Sequence, residues 1–120
     1  TYRTNHIDDH YGLIEIEILL QLEDAGQMRI LLDGYTVGKY YRSKRTDPWK
    51  DLFAIYDVYP SYPPFPEYIL QSGILEITEV TDSSISGAFD FWMLFASIQI
   101  PEDPNIFKPM YGEFFAVREQ

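Results

Sequence analysis

Residues 73–91, GILEITEVTDSSISGAFDF, constrain this chain most, because two alternating stretches flank a polar corner at Thr81-Asp82-Ser83-Ser84. Side chains alternate across a strand, so Gly73, Leu75 and Ile77 share one face of the first stretch. Ile85, Gly87, Phe89 and Phe91 share one face of the second, and the opposite faces are mostly Glu, Thr, Ser and Asp. An antiparallel hairpin with one packed and one wet face fits this pattern, whereas a buried parallel strand would be apolar throughout.

Further strand patterns lie on both sides. Residues 13–22 open with Ile14, Ile16 and Ile18 against Glu15 and Glu17, and β-branched residues at period two favour a strand over the helix that Leu, Glu and Gln would support. Glu23-Asp24-Ala25-Gly26 supplies a turn, residues 27–32 return as a strand, and Asp33-Gly34 closes it. Residues 35–41 form a short aromatic strand that runs into a basic loop interrupted at Asp47-Pro48. Residues 52–59 are a further strand with Ala54, Tyr56 and Val58 as its apolar side. Pro60, Pro63, Pro64 and Pro66 donate no ladder hydrogen bonds, so they mark a stiff connector. Trp92 and the residues to Ile100 prolong the central hairpin, with Trp92 expected as a core or inter-sheet residue. A second Pro-interrupted loop at 101–109 precedes a last strand at 110–118, which carries Gly112, Phe114 and Ala116 on one face. The expectation is a single all-β domain over residues 1–120, an antiparallel β-sandwich or open barrel of roughly seven strands.

The formal charge of −10, from 19 acids against nine bases, repels phosphate backbones and argues against nucleic-acid binding. It is unevenly spread: Lys39, Arg42, Lys44, Arg45 and Lys50 stand with only Asp47 as an acid between them, a local charge of +4. The absence of Cys excludes disulfides, thiolate metal sites and a cysteine nucleophile. No apolar run approaches the ~20 residues that a membrane-spanning helix needs. The chain opens on Thr1-Tyr2 rather than Met, so any export signal or lipid anchor is expected upstream.

Catalytic constellations are not legible. His6 and His10 stand four apart around Asp8 and Asp9, a spacing that suits ligands on a helix face, yet nothing supports a helix there and a solvated N-terminal segment is expected. The acidic pairs lack calcium-loop spacing, Ser86-Gly87 lies mid-strand rather than at a nucleophile elbow, and the glycines form no phosphate cradle. No enzyme activity, metal or cofactor is expected. The candidate ligand-binding patch is Tyr40, Tyr41, Arg42, Lys44, Arg45 and Trp49, where aromatic rings in a polar loop adjoin the basic cluster; Trp49 packed beneath its own loop is the competing reading. Tyr59, Tyr62, Phe65 and Tyr68 form a second aromatic series. Gly87 and Gly112 read as packing devices that let an aromatic neighbour lie over bare backbone.

Three blocks together, Gly73-Ile74-Leu75-Glu76-Ile77-Thr78, Ile85-Ser86-Gly87-Ala88-Phe89-Asp90-Phe91 and Tyr111-Gly112-Glu113-Phe114, resemble the strand signature of small exported lipoproteins of Bacteroidota whose function is unknown. Asp33-Gly34-Tyr35-Thr36-Val37 and Ala54-Ile55-Tyr56 fall where that family places a Gly-Tyr turn and an aromatic strand. The resemblance covers residues 30–118. Ala88 stands where the family usually has Thr, the 101–109 loop is longer, and the lipobox Cys and first strand are absent. It implies an all-β, periplasmic or cell-surface domain with no catalytic residues to carry over. The expected function is therefore a non-catalytic, extracytoplasmic binding or accessory subunit of a cell-envelope assembly, with a protein partner. A carbohydrate-binding module using Trp49 and nearby tyrosines is the first alternative, and an acidic inhibitor or immunity-type protein the second. Edge strands are expected near residues 13–20 or 110–118, where another chain would pair.

Overall fold

The computed structural model describes residues 1–8, 12–22, 26–34, 36–42, 52–57, 67–95 and 107–119. They form eight strands in one antiparallel sheet: β1 (Tyr2–Asp8), β2 (Gly12–Gln21), β3 (Gln27–Leu32), β4 (Gly38–Arg42), β5 (Leu52–Asp57), β6 (Glu67–Val80), β7 (Ser84–Phe95) and β8 (Phe107–Val117). The main path runs β1-β2-β3-β5-β6-β7-β8, and β4 sits off it, pairing with β6. β5 and β4 share one edge of the long β6, β5 against Glu67 to Ile69 and β4 against Gly73 to Ile77.

The sheet curls until its ends meet. Tyr2 bridges Arg118, and the Glu119 N–H donates to the Tyr2 carbonyl at 2.8 Å. That bridge is parallel. It has to be, because an antiparallel path with an odd number of strands brings its first and last strands together pointing the same way. Register shifts in β6 at Leu70/Ser72 and Ile77/Glu79 add the local twist that curling needs. At the second of these the Thr78 hydroxyl donates to the Ser86 carbonyl at 3.2 Å. The open-barrel form of the expected all-β fold is thus the one adopted.

The core lies on the concave face, where Ile16, Ile18, Met28, Ile30, Leu32, Leu75, Ile77, Ile85, Phe91 and Ala116 are fully or almost fully buried. The Thr81–Ser84 corner turns as its chemistry requires: the Ser84 N–H donates to Thr81 Oγ1 at 3.0 Å while the Thr81 N–H donates to the Ser84 carbonyl at 2.9 Å. Ahead of β4, the Tyr40 hydroxyl reaches back to the Thr36 N–H and carbonyl, each at 3.1 Å, and clamps the approach to the strand.

Four expectations need correction. The N-terminal segment is not a solvated tail as far as Asp8 but strand β1, which gains its hydrogen bonds from β2. Residues 13–20 are consequently not an edge, since β2 lies between β1 and β3. β5 buries both of its faces, Phe53 and Ile55 as well as Ala54 and Tyr56, so it has no single apolar side. β8 starts at Phe107, and Pro109 pairs with Trp92 inside it rather than ending a loop. The 60–66 connector and the 101–106 part of the second loop lie outside the described residues.

Candidate functional site

Because Gly112, Phe114 and Ala116 of β8 face the core, alternation sends Tyr111, Glu113, Phe115 and Val117 to the convex side. There Tyr111 is 78% exposed and Phe115 64%, large values for aromatic side chains in regular strands. Cross-strand register assembles the rest of the surface. Tyr41 of β4 opposes Ile74 of β6, Ile74 opposes Asp90 of β7, and Asp90 opposes Tyr111, a row about 14 Å long at the usual strand spacing. One row along, Trp92 lies between Ser72 and Pro109 and stacks on Phe107 at 5.4 Å with planes 10° apart. Trp92 is 42% exposed, which corrects its expected place as a core or inter-sheet residue. A third row, Lys39, Glu76, Ala88 and Glu113, carries the charges.

Beside this surface, the described residues leave a gap in the sheet. An open cleft of about 340 Å³ separates Leu20, Gln21 and Leu22 at the end of β2 from Tyr111 to Phe115 of β8, with Phe89 also lining it. Next to it, the Leu19 N–H donates to the Thr1 carbonyl at 2.8 Å.

The patch expected from sequence is divided by the fold. Tyr41 joins the convex row. Tyr40 pairs with Leu75, is half-buried against the core, and has its hydroxyl committed to Thr36. The Arg42 guanidinium lies 5.0 Å from the centre of the Phe53 ring and donates to the Leu52 carbonyl at 3.4 Å, a structural role at the junction of β4 and β5. Lys44, Arg45 and Trp49 lie outside the described residues, as do Tyr59, Tyr62 and Phe65. Tyr68 stacks on Tyr56 with ring centres 5.8 Å apart.

A second polar cluster occupies the convex side of β2, β3 and β5. Glu17 is 6% exposed although its place in an Ile-Glu alternation predicts a wet carboxylate. Arg29 explains the burial: its Nη2 and Nε donate to Glu17 Oε2 at 2.7 and 3.1 Å. Burial raises the Asp57 carboxyl above its ordinary value, and the Arg29 charge opposes the shift. Neighbouring Leu31, Phe53 and Ile55 are buried, so this cluster is held within packed structure rather than offered to a ligand. Among the described residues no group of three or more His, Asp or Glu is placed to hold a metal ion.

No family model matches the chain, and no curated protein or solved structure matches it either.

The surface centred on Tyr111 and Phe115 was absent from the patch expected from sequence. Its signal was nonetheless present, since assigning Gly112, Phe114 and Ala116 to one face assigns Tyr111, Glu113 and Phe115 to the other.

Proposed function

We propose that this chain is a non-catalytic protein-binding domain, an accessory subunit that engages its partner through the convex face of β7 and β8. The exposed aromatic pair Tyr111 and Phe115 on the last strand carries the reading. Ordered strands hold these rings at little conformational cost on binding, and Trp92 and Tyr41 extend the apolar surface across the sheet. Aromatic rings of this kind are enriched among residues that dominate binding energy, whereas general acid–base or nucleophilic chemistry needs polar groups converging on one point. The strand signature that resembles exported lipoproteins of Bacteroidota supports an extracytoplasmic, cell-envelope setting for that partner.

The test compares the wild-type chain with a Tyr111→Ser/Phe115→Ser variant as bait in envelope extracts of the source cells. A partner retained by the wild type and lost by a variant of unchanged melting temperature is the expected result. Equal recovery by both baits, or none by either, refutes the proposal, and saturable binding of a glycan lost on Trp92→Ala would replace it with the carbohydrate reading.

A further inference from the structure

We propose that the partner protein presents an arginine to the convex surface, its guanidinium paired with Asp90 and laid against the rings of Tyr111 and Trp92. The partner itself comes from the binding-domain reading above; what it must bring is set by Asp90.

Asp90 is the charged residue on the convex face of β7, where its neighbours along the strand are Ala88 and Trp92. Across the sheet it stands between Ile74 of β6 and Tyr111 of β8. With β6 on one side and β8 on the other, the position is interior to the sheet. The Arg118 N–H donates to the Ser83 carbonyl at 2.8 Å, and the ladder from there runs without a register shift to Leu94 opposite Phe107. Counted along that alternation, Asp90 and Tyr111 are a non-hydrogen-bonded pair, the kind whose side chains stand closest. Their Cβ atoms are about 5 Å apart, and Glu113, on the diagonal from Asp90, is about 7 Å away. One guanidinium, with five donors in a plane, reaches both carboxylates while its flat face covers a ring.

The fold supplies no counter-charge at this point. Among the described residues no cation lies within ion-pair distance of Asp90. Lys39 stands beyond β6, opposite Glu76, and Lys108 turns to the concave face, its Nζ 5.7 Å from the centre of the Tyr56 ring. Water solvates the exposed Asp90 carboxylate in the free protein. A partner that covers Tyr111 and Trp92 strips that water from the carboxylate beside them. An unpaired carboxylate buried in this way opposes binding strongly, so a partner seated on the rings has to return a positive charge at the same place.

Charge narrows the occupant further. The convex face of β4, β6, β7 and β8 carries Glu76, Glu79, Asp90 and Glu113 against Lys39, on a chain of net charge −10. A second copy of this face would set carboxylates against carboxylates, and a phosphate-bearing partner would be repelled. Arginine suits the position better than lysine, because a guanidinium is more weakly hydrated and stacks on aromatic faces while bonding carboxylates through paired N–H groups.

The experiment titrates the intact chain, followed by NMR, with a capped peptide of alternating valine and arginine and with its counterpart in which citrulline, the uncharged isostere, replaces arginine. Saturable shifts at Asp90, Trp92 and Tyr111, with the citrulline peptide bound at least about tenfold more weakly, are the expected result. Asp90→Asn should bring the two affinities together without altering the melting temperature, since the side chain is exposed. The Asp90→Asn chain used as bait in envelope extracts should likewise recover less partner than the wild type. Equal affinity for the two peptides, shifts confined to other residues, or no saturable binding overturns the proposal. An Asp90→Asn bait that keeps a partner which the Tyr111→Ser/Phe115→Ser variant loses refutes the arginine seat and leaves the binding-domain reading standing. Concentration-dependent dimerisation with shifts at the same residues overturns it in favour of a second copy.

Discussion

The Phe114 ring occupies the space that a side chain on Gly87, its direct partner across β7 and β8, would need. A Cβ at Gly87 would stand 2.8 Å from the ring and closer still to the Glu76 carbonyl oxygen. Gly73 has the same relationship to Phe91, with the Asp90 carbonyl oxygen 2.7 Å from a Cβ placed there. Backbone and a buried ring cannot both retreat, so Gly87→Ala should destabilise the fold by about 2–3 kcal/mol and Gly87→Val by more. Urea unfolding measures this.

Gly112 makes the contrasting case. It opposes Phe89, yet a Cβ there would meet the ring at 3.7 Å, an ordinary contact. Gly112→Ala should be neutral or stabilising by up to about 1 kcal/mol, because the unfolded chain loses freedom while the folded one keeps its packing. A loss as large as that at Gly87 would refute this account of the two positions.

Gly38 enters β4 with φ at 148°, a conformation that side chains rarely adopt, although nothing lies within 4 Å of a Cβ there. Gly38→Ala should therefore cost about 1–3 kcal/mol through backbone strain alone. Thermal melting of this variant beside Gly112→Ala separates strain from crowding.

Breaking the Glu17–Arg29 pair should be costly. Arg29→Met leaves a buried carboxylate without its two guanidinium donors, with an expected loss of roughly 3 kcal/mol; Glu17→Leu combined with Arg29→Met should restore most of it. Chemical denaturation of the single and double variants measures the difference.

Asp57 should respond to pH with the sign opposite to that of a salt-bridged carboxylate. Its folded pKa is raised, chiefly by burial, so the folded state holds the proton more tightly than the unfolded state. Its contribution to stability is greatest in the protonated form below the ordinary carboxylate range and declines as pH rises through the raised folded pKa. Asp57→Asn should then raise the melting temperature at neutral pH relative to wild type, with the gain shrinking under acid. A gain that grows on acidification contradicts the assignment.

The sequence made the core legible where apolar and polar residues alternate strictly. Leu75, Ile77, Ile85, Phe89 and Ala116 are buried as their positions required. It concealed Trp92 because the run from Phe91 to Phe95 is apolar throughout and has no period to read. β1 carries only Ile7 and Tyr2 as large apolar residues, so its strand state comes from pairing with β2 rather than from local pattern. Glu17 obeyed the alternation in direction but not in exposure, because Arg29 supplies the compensation that permits burial. The convex aromatic surface was implicit in the alternation of β8.

The parallel seam between Tyr2 and Arg118 has a kinetic consequence. β6, β7 and β8 can zip through adjacent hairpins, whereas the seam joins residues separated by nearly the whole chain. Closing so large a loop is entropically slow and is rewarded, among the described residues, by few backbone bonds, so the meander should form first and the seam last. The same contacts are the cheapest to release in the folded protein, making the seam a latch whose opening precedes global unfolding.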